Sequence, residues 1–169
     1  MKSIRLALIF VALLAVFNVS QTVGQTDKKE RDGKWETVDG TPTYQIAGDG
    51  TVDWYTFSGF RRYHSECHVC HGPDGEGSTY APGLIESLKT MSYADFMLAV
   101  ASGREVVRAV KQSKMPALGD NPNVMCYIDD IYVYLKARAD GVLPRGRPAK
   151  RVEKPATAEA TEKACFGGK

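Results

Sequence analysis

Cys67-His68-Val69-Cys70-His71 places two cysteines three apart and a histidine directly after them, the pattern of a c-type haem attachment site. Each thiol can add to one vinyl group of a porphyrin, which gives two thioether bonds. Cysteines at i and i+3 lie on one side of a helical turn. The next residue then offers its imidazole to the iron as the proximal ligand. A zinc half-site would need a second ligand pair at suitable spacing, and the chain has none. A thioredoxin-like redox pair belongs in a βαβ context, which the surrounding pattern lacks.

Downstream, Gly72-Pro73-Asp74-Gly75-Glu76-Gly77 cannot continue a helix and reads as a turn-rich loop. A loop just after the proximal histidine can supply a backbone carbonyl to the ring N–H, which fixes the imidazole and raises its basicity. Tyr80, Pro82 and Leu84 follow and are expected to wall one haem edge. Upstream, a helix is predicted over residues 53–70, capped by Thr51 or Asp53. Gly59, Tyr63 and Cys67 recur every four residues and share one face. The glycine lets another helix approach closely, and the aromatic ring fills space beside the haem.

Further out, Ser92-Tyr93-Ala94-Asp95 has the form of a capping box. Phe96 and Val100 are the apolar i, i+4 pair of the short helix it opens, and Gly103 ends that helix. Residues 104–121 read as loop. A last helix begins at Asp120 or Asn121, with Pro122 in its first turn. Val124, Ile128, Ile131, Tyr134 and Leu135 form its apolar stripe, and Gly141 and Pro144 end it. Beyond Pro144 no hydrophobic period is visible, which predicts a mobile tail. At the other end, residues 25–52 are polar. Two strand-like pieces, 35–38 and 43–46, fit either a small hairpin or an irregular arm.

The sixth iron position decides the chemistry, because methionine raises the potential and closes the site. Met91, Met97 and Met125 lie on or beside helical patterns and are expected to fill core. Met115 sits in a loop 44 residues after His71, stiffened by Pro116, and is the candidate distal ligand. His64 and His68 lie too close to the attachment motif to reach the opposite face.

Lys2 and Arg5, the apolar run 6–17 and the small residues near Gly24 read as a cleaved secretory signal peptide over 1–24. That run is too short to span a membrane comfortably. Export to the periplasm fits the four cysteines. Two belong to the motif, and Cys126 and Cys165 remain as an even pair expected to form a disulfide in an oxidising compartment. The alternative, a packed Cys126 and a free thiol at Cys165, suits Cys165 poorly because its surroundings are polar. Losing Lys2 and Arg5 leaves 20 basic against 20 acidic residues. Residues 25–143 hold 13 basic and 17 acidic side chains, and residues 144–169 hold seven and three. The acidic body and the lack of aromatics among the tail's cations argue against nucleic-acid binding.

Gly59-x-x-x-Tyr63-x-x-x-Cys67-x-x-Cys70-His71, then Met115-Pro116, then Ile131-Tyr132-Val133-Tyr134-Leu135-Lys136, together resemble class I cytochrome c. The resemblance covers about residues 53–140. It implies an all-α fold in which first and last helices cross over one covalent haem c, held by Cys67, Cys70, His71 and Met115. Trp35, the run Gly48-Asp49-Gly50-Thr51-Val52-Asp53-Trp54 and Asn121-Pro122-Asn123-Val124-Met125-Cys126-Tyr127-Ile128-Asp129-Asp130 are similar to four-cysteine cytochromes of methanol metabolism. Those accept electrons from pyrroloquinoline-quinone-dependent alcohol or methanol dehydrogenases and pass them to a cytochrome or oxidase. The organisation implied is signal peptide 1–24, extension 25–52, cytochrome domain 53–143 and basic tail 144–169. The resemblance implies an electron carrier with no bond-making chemistry of its own. The rivals are a haem enzyme or gas-binding protein with an open sixth site, and a subunit of a larger oxidoreductase.

Overall fold

The first long helix, α1 (Trp54–Glu66), starts at Asp53. Its buried carboxylate accepts from the Thr56 amide at 2.8 Å, the Thr56 hydroxyl at 2.6 Å and the Gln45 amide at 2.7 Å. An orphan donor of the first turn is thereby satisfied inside the fold. The structure is a computed structural model and describes residues 27–107 and 112–167. The expected signal peptide lies outside the described residues. Among those residues no helix is long and apolar enough to cross a membrane.

The helix predicted over 53–70 is in fact broken at Cys67. Its amide closes the α1 ladder on the Tyr63 carbonyl, and a separate turn, α2 (His68–His71), follows. Gly72 ends that turn at φ +73, where a Cβ would lie 2.1 Å from the Gly77 carbonyl oxygen. Only glycine fits such a left-handed close approach. After a 3-10 turn at Pro73–Gly75 come α3 (Leu84–Ser87) and α4 (Tyr93–Ser102). Ser92 caps α4 by accepting the Asp95 amide, and Phe96 and Val100 are its buried residues.

The loop expected over 104–121 contains a hairpin of β4 (Arg104–Val107) and β5 (Gln112–Met115). Asn121 then caps α5 (Pro122–Met125), and the chain bends at Cys126 and Tyr127 into α6 (Ile128–Ala139). The bend sets Tyr127 under the Arg62 guanidinium, 3.6 Å from its ring centre. Val124, Ile128, Ile131, Tyr134 and Leu135 are all buried, as the stripe requires. Helices α1 and α6 cross at Gly59, where a Cβ would stand 1.8 Å from the Asp130 carbonyl oxygen. Around the crossing, Phe60 meets Tyr134 edge-on with ring centres 5.6 Å apart, and Tyr63 lies 5.6 Å from the same ring.

The fold is therefore mostly helical but not all-α. A three-stranded antiparallel sheet precedes the helices: β1 (Lys28–Arg31), β2 (Lys34–Thr37) and β3 (Pro42–Thr43). Asp32 and Gly33, both at positive φ, make the tight β1–β2 turn. Strand β1, Lys-Lys-Glu-Arg, carries no β-forming residue, so sequence preference could not show it. The sheet is tied to α6 by Lys34 Nζ to Asp129 at 3.3 Å, and the segment after it by the Tyr44 hydroxyl to Asp140 at 2.8 Å.

The tail expected to be mobile is a strap. Residue 151 bridges Val52 in parallel, and the Val152 amide donates to the Val52 carbonyl at 2.9 Å. Arg147 and Arg151 lie over Phe57, and Arg151 and Lys154 over Trp54, at 4.8 to 5.7 Å from the ring centres. Helix α7 (Ala156–Gly167) then carries Cys165 to Cys126, and the two form a disulfide. Cation–aromatic contacts, single backbone bonds and a crosslink hold this segment. None of them leaves a hydrophobic period in the sequence.

Candidate functional site

The three motif residues come together by local geometry alone. Cys67 sits at the α1–α2 junction, and Cys70 and His71 close α2. Cys67 is partly buried, and that burial, followed by the Glu66 carboxylate, pushes its thiol up to about 12. Cys70 is exposed. Neither is in a disulfide, although the other two cysteines are.

His71 is 8% exposed. Its Nδ1 lies 2.9 Å from the Pro82 carbonyl oxygen. A carbonyl only accepts, so Nδ1 is the donor and Nε2 keeps its lone pair. The loop carbonyl expected of residues 72–77 thus comes from further along. The loop itself is pinned from both sides. The Gly77 amide donates to the His71 carbonyl at 2.7 Å, and the Tyr63 hydroxyl to the Gly72 carbonyl at 2.5 Å. Burial raises the Tyr63 hydroxyl above its ordinary range, which keeps it a donor. Of the residues expected at a haem edge, Tyr80 is 75% exposed, while Leu84 packs partly against the core.

Asp74 was not marked by the sequence, yet it joins four parts of the molecule. It is 5% exposed. Its carboxylate accepts from the Tyr134 hydroxyl at 3.2 Å and the Gly146 amide at 3.1 Å. His64 Nε2 and Arg145 Nε each approach it to 3.6 Å. Arg138 donates to its main-chain carbonyl at 3.4 Å. Its one visible signal was its place inside a glycine-rich turn.

Met115 ends β5 and is not in the free loop expected. The segment behind it is fastened to α4: the Leu118 and Gly119 amides donate to the Val100 and Ala101 carbonyls, each at 3.0 Å. These bonds satisfy acceptors that the end of a helix leaves open. Met91, Met97, Met115 and Met125 are all partly buried against the core, so burial does not single out one of them.

The chain is similar to cytochrome c-553I of Paracoccus denitrificans, 58% identical over 137 residues that make up 81% of this chain and 61% of that protein. It is 40% identical over 100 residues to cytochrome c-555 of Methylococcus capsulatus, which covers 59% of this chain and 75% of that one. The chain is a c-type cytochrome. The crystal structure of the c-type cytochrome XoxG from Methylobacterium extorquens AM1 matches its fold with a TM-score of 0.75 and 55% identity, over 81% of this chain and 84% of that one. No protein-family model matches this cytochrome. It spans about 61% of the length of cytochrome c-553I.

Cytochromes of this type carry haem c covalently, and the residues here fit that group. Two thiols are left unpaired at thioether spacing in a chain whose other cysteines are joined. Beside them a buried imidazole has one nitrogen committed to a carbonyl and the other without a partner among the described residues.

Proposed function

We propose that this cytochrome is a periplasmic single-electron carrier. It accepts electrons from a pyrroloquinoline-quinone-dependent methanol or other alcohol dehydrogenase and passes them to another cytochrome or a terminal oxidase. The observation that carries the reading is the His71 imidazole, buried and oriented by the Pro82 carbonyl beside two free cysteines. The donor class rests on the resemblance to methanol-metabolism cytochromes. When bound, the haem supplies a one-electron iron couple. Cys67 and Cys70 would tether it through two thioethers. His71 would offer Nε2 to the metal, with the Pro82 carbonyl keeping the ring from turning. Met115 would supply the second iron ligand, from a segment whose continuation is fastened to α4. Tyr63 and Gly77 pin the loop that follows His71, which would limit reorganisation on electron transfer.

Stopped-flow mixing of the ferric cytochrome with a reduced quinone dehydrogenase tests the donor. Haem reduction on the turnover timescale is expected, slowing as salt rises because charged surfaces steer the encounter. No reduction on that timescale sinks the assignment. Met115→Ala should abolish the sulfur-to-iron charge-transfer band and lower the potential. If both survive in that variant while Met125→Ala removes them, the ligand is Met125. An intact wild-type protein that binds carbon monoxide or peroxide at an open site would favour a haem enzyme instead.

A further inference from the structure

His64 Nδ1 lies 2.8 Å from the Phe60 carbonyl oxygen. An oxygen of that kind cannot donate, so Nδ1 carries the hydrogen and neutral His64 presents a bare lone pair at Nε2. That nitrogen lies 3.6 Å from Asp74 Oδ1. Two acceptors facing each other gain nothing from the approach. A proton on Nε2 turns the same geometry into an ion pair. Asp74 is 5% exposed, so solvent screens the pair only weakly.

The place of the pair gives it a consequence. Asp74 follows His71 by three residues, which keeps their Cα atoms within about 11 Å. His64 stands one turn before Cys67, and its ring stacks on His68 with centres 5.8 Å apart. We propose that His64 and Asp74 form a proton-binding site coupled to the redox state of the haem, so that a proton is taken up at His64 Nε2 as the protein receives an electron. The electron comes from the reduced partner protein and the proton from water. One N–H bond forms, no bond in the protein breaks, and oxidation returns both. An electron added at the centre held by His71 lowers its positive charge and favours imidazolium nearby. By reciprocity, imidazolium favours the reduced form. The inference rests on haem c and on no particular donor.

Other groups face this site. His68 of α2 stacks on His64, and Tyr134 of α6 packs against the ring and donates to Asp74 Oδ1. Arg145 of the strap meets the other oxygen, Oδ2, at 3.6 Å and is itself 61% exposed. Arg138 reaches the Asp74 main chain, and Glu76 accepts from both arginines. Arg145 competes with a charged His64 for the Asp74 carboxylate, while Arg138 holds only its main-chain carbonyl. Glu76 takes part of the arginines' charge, and Oδ1 is shared by the histidine, the Tyr134 hydroxyl and the Gly146 amide.

The test uses the haem-loaded protein. The His64 ring proton is followed by NMR from about pH 5 to about pH 9 in the ferric and ferrous states. Midpoint potentials are measured over the same range for wild type and for His64→Gln, whose amide can still donate to the Phe60 carbonyl. His64 should protonate at higher pH in the ferrous protein. The potential should fall as pH rises through that range, and His64→Gln should lose this fall. Identical titrations of His64 in the two states overturn the proposal. So does a wild-type potential that does not depend on pH, or a fall that His64→Gln keeps in full. If His64→Gln does not fold, the wild-type titrations decide.

Discussion

Asp130 is a carboxyl at the α1–α6 crossing, 6% exposed. Burial pushes it up to about 7. The Ser58 hydroxyl and Lys34 oppose the shift, while Asp129 and Asp53 add to it. Because the folded protein holds this proton more tightly than the unfolded chain, this group's contribution to stability is greatest below the ordinary carboxylate range. It declines as pH rises to about 7 and is flat above that. Asp130→Asn should remove this slope. Relative to wild type, the variant should gain up to roughly 4 kcal/mol between acid and mildly alkaline pH. Urea unfolding of the holoprotein at several pH values checks it, and parallel curves for the two proteins would show that Asp130 stays charged throughout. At this scale the sequence was legible where chemistry is local. Cys67, Cys70 and His71 declare themselves by spacing, because four peptide units of backbone fix their relation. Asp74 does not, because its partners stand up to 72 residues away.

Helices α1 and α6 depend on one contact that side-chain volume decides. A Cβ at Gly59 would stand 1.8 Å from the Asp130 carbonyl oxygen and 2.8 Å from the Tyr134 Cβ. These are backbone or near-backbone atoms, so no rotamer change relieves the clash. Gly59→Ala should cost about 3 kcal/mol or more, read as a lower urea midpoint with an unchanged slope. A variant as stable as wild type would mean that the helices cross elsewhere. The long helices were visible in the sequence because a buried stripe repeats along them, and the α4 cap because Ser92 and Asp95 sit three apart. Two breaks, at Cys67 and at Cys126, were not visible. Both fall where the chain continues helical residues without proline or glycine, so only the geometry of the neighbours marks them. Strands β1, β4 and β5 were missed for a related reason. Their residues are charged or mixed, and strand pairing rather than a buried face defines them.

At the scale of the whole molecule, the two ends of the described chain meet. The Thr157 hydroxyl donates to the Asp32 carbonyl at 3.0 Å, Lys150 pairs with Asp49 at 3.0 Å, and the disulfide returns α7 to α5. The crosslink spans 39 residues. For a loop of that length the chain-entropy account allows roughly 4 kcal/mol. The strap's own contacts survive reduction, so Cys165→Ser should cost about 2 to 4 kcal/mol. Reductant should destabilise wild type and leave the variant unchanged. Mass spectrometry of the unreduced holoprotein after thiol alkylation should find neither cysteine labelled, and two labels would leave α7 tethered by its non-covalent contacts alone.

The sequence by itself determined what depends on short separations: the attachment motif, the helix caps, the apolar stripe of Val124 to Leu135 and the even pair of cysteines. Each is a relation between residues a turn apart or a matter of composition, and survives any arrangement of the elements. Tertiary structure alone decided which carbonyl orients His71, where the last 24 described residues run, and that Asp74 gathers His64, Tyr134, Arg145 and Gly146 around one buried carboxylate. Those contacts join residues whose neighbourhood is set by how helices cross and how the strap returns. A residue chosen to meet one distant partner carries no period and no spacing along the chain.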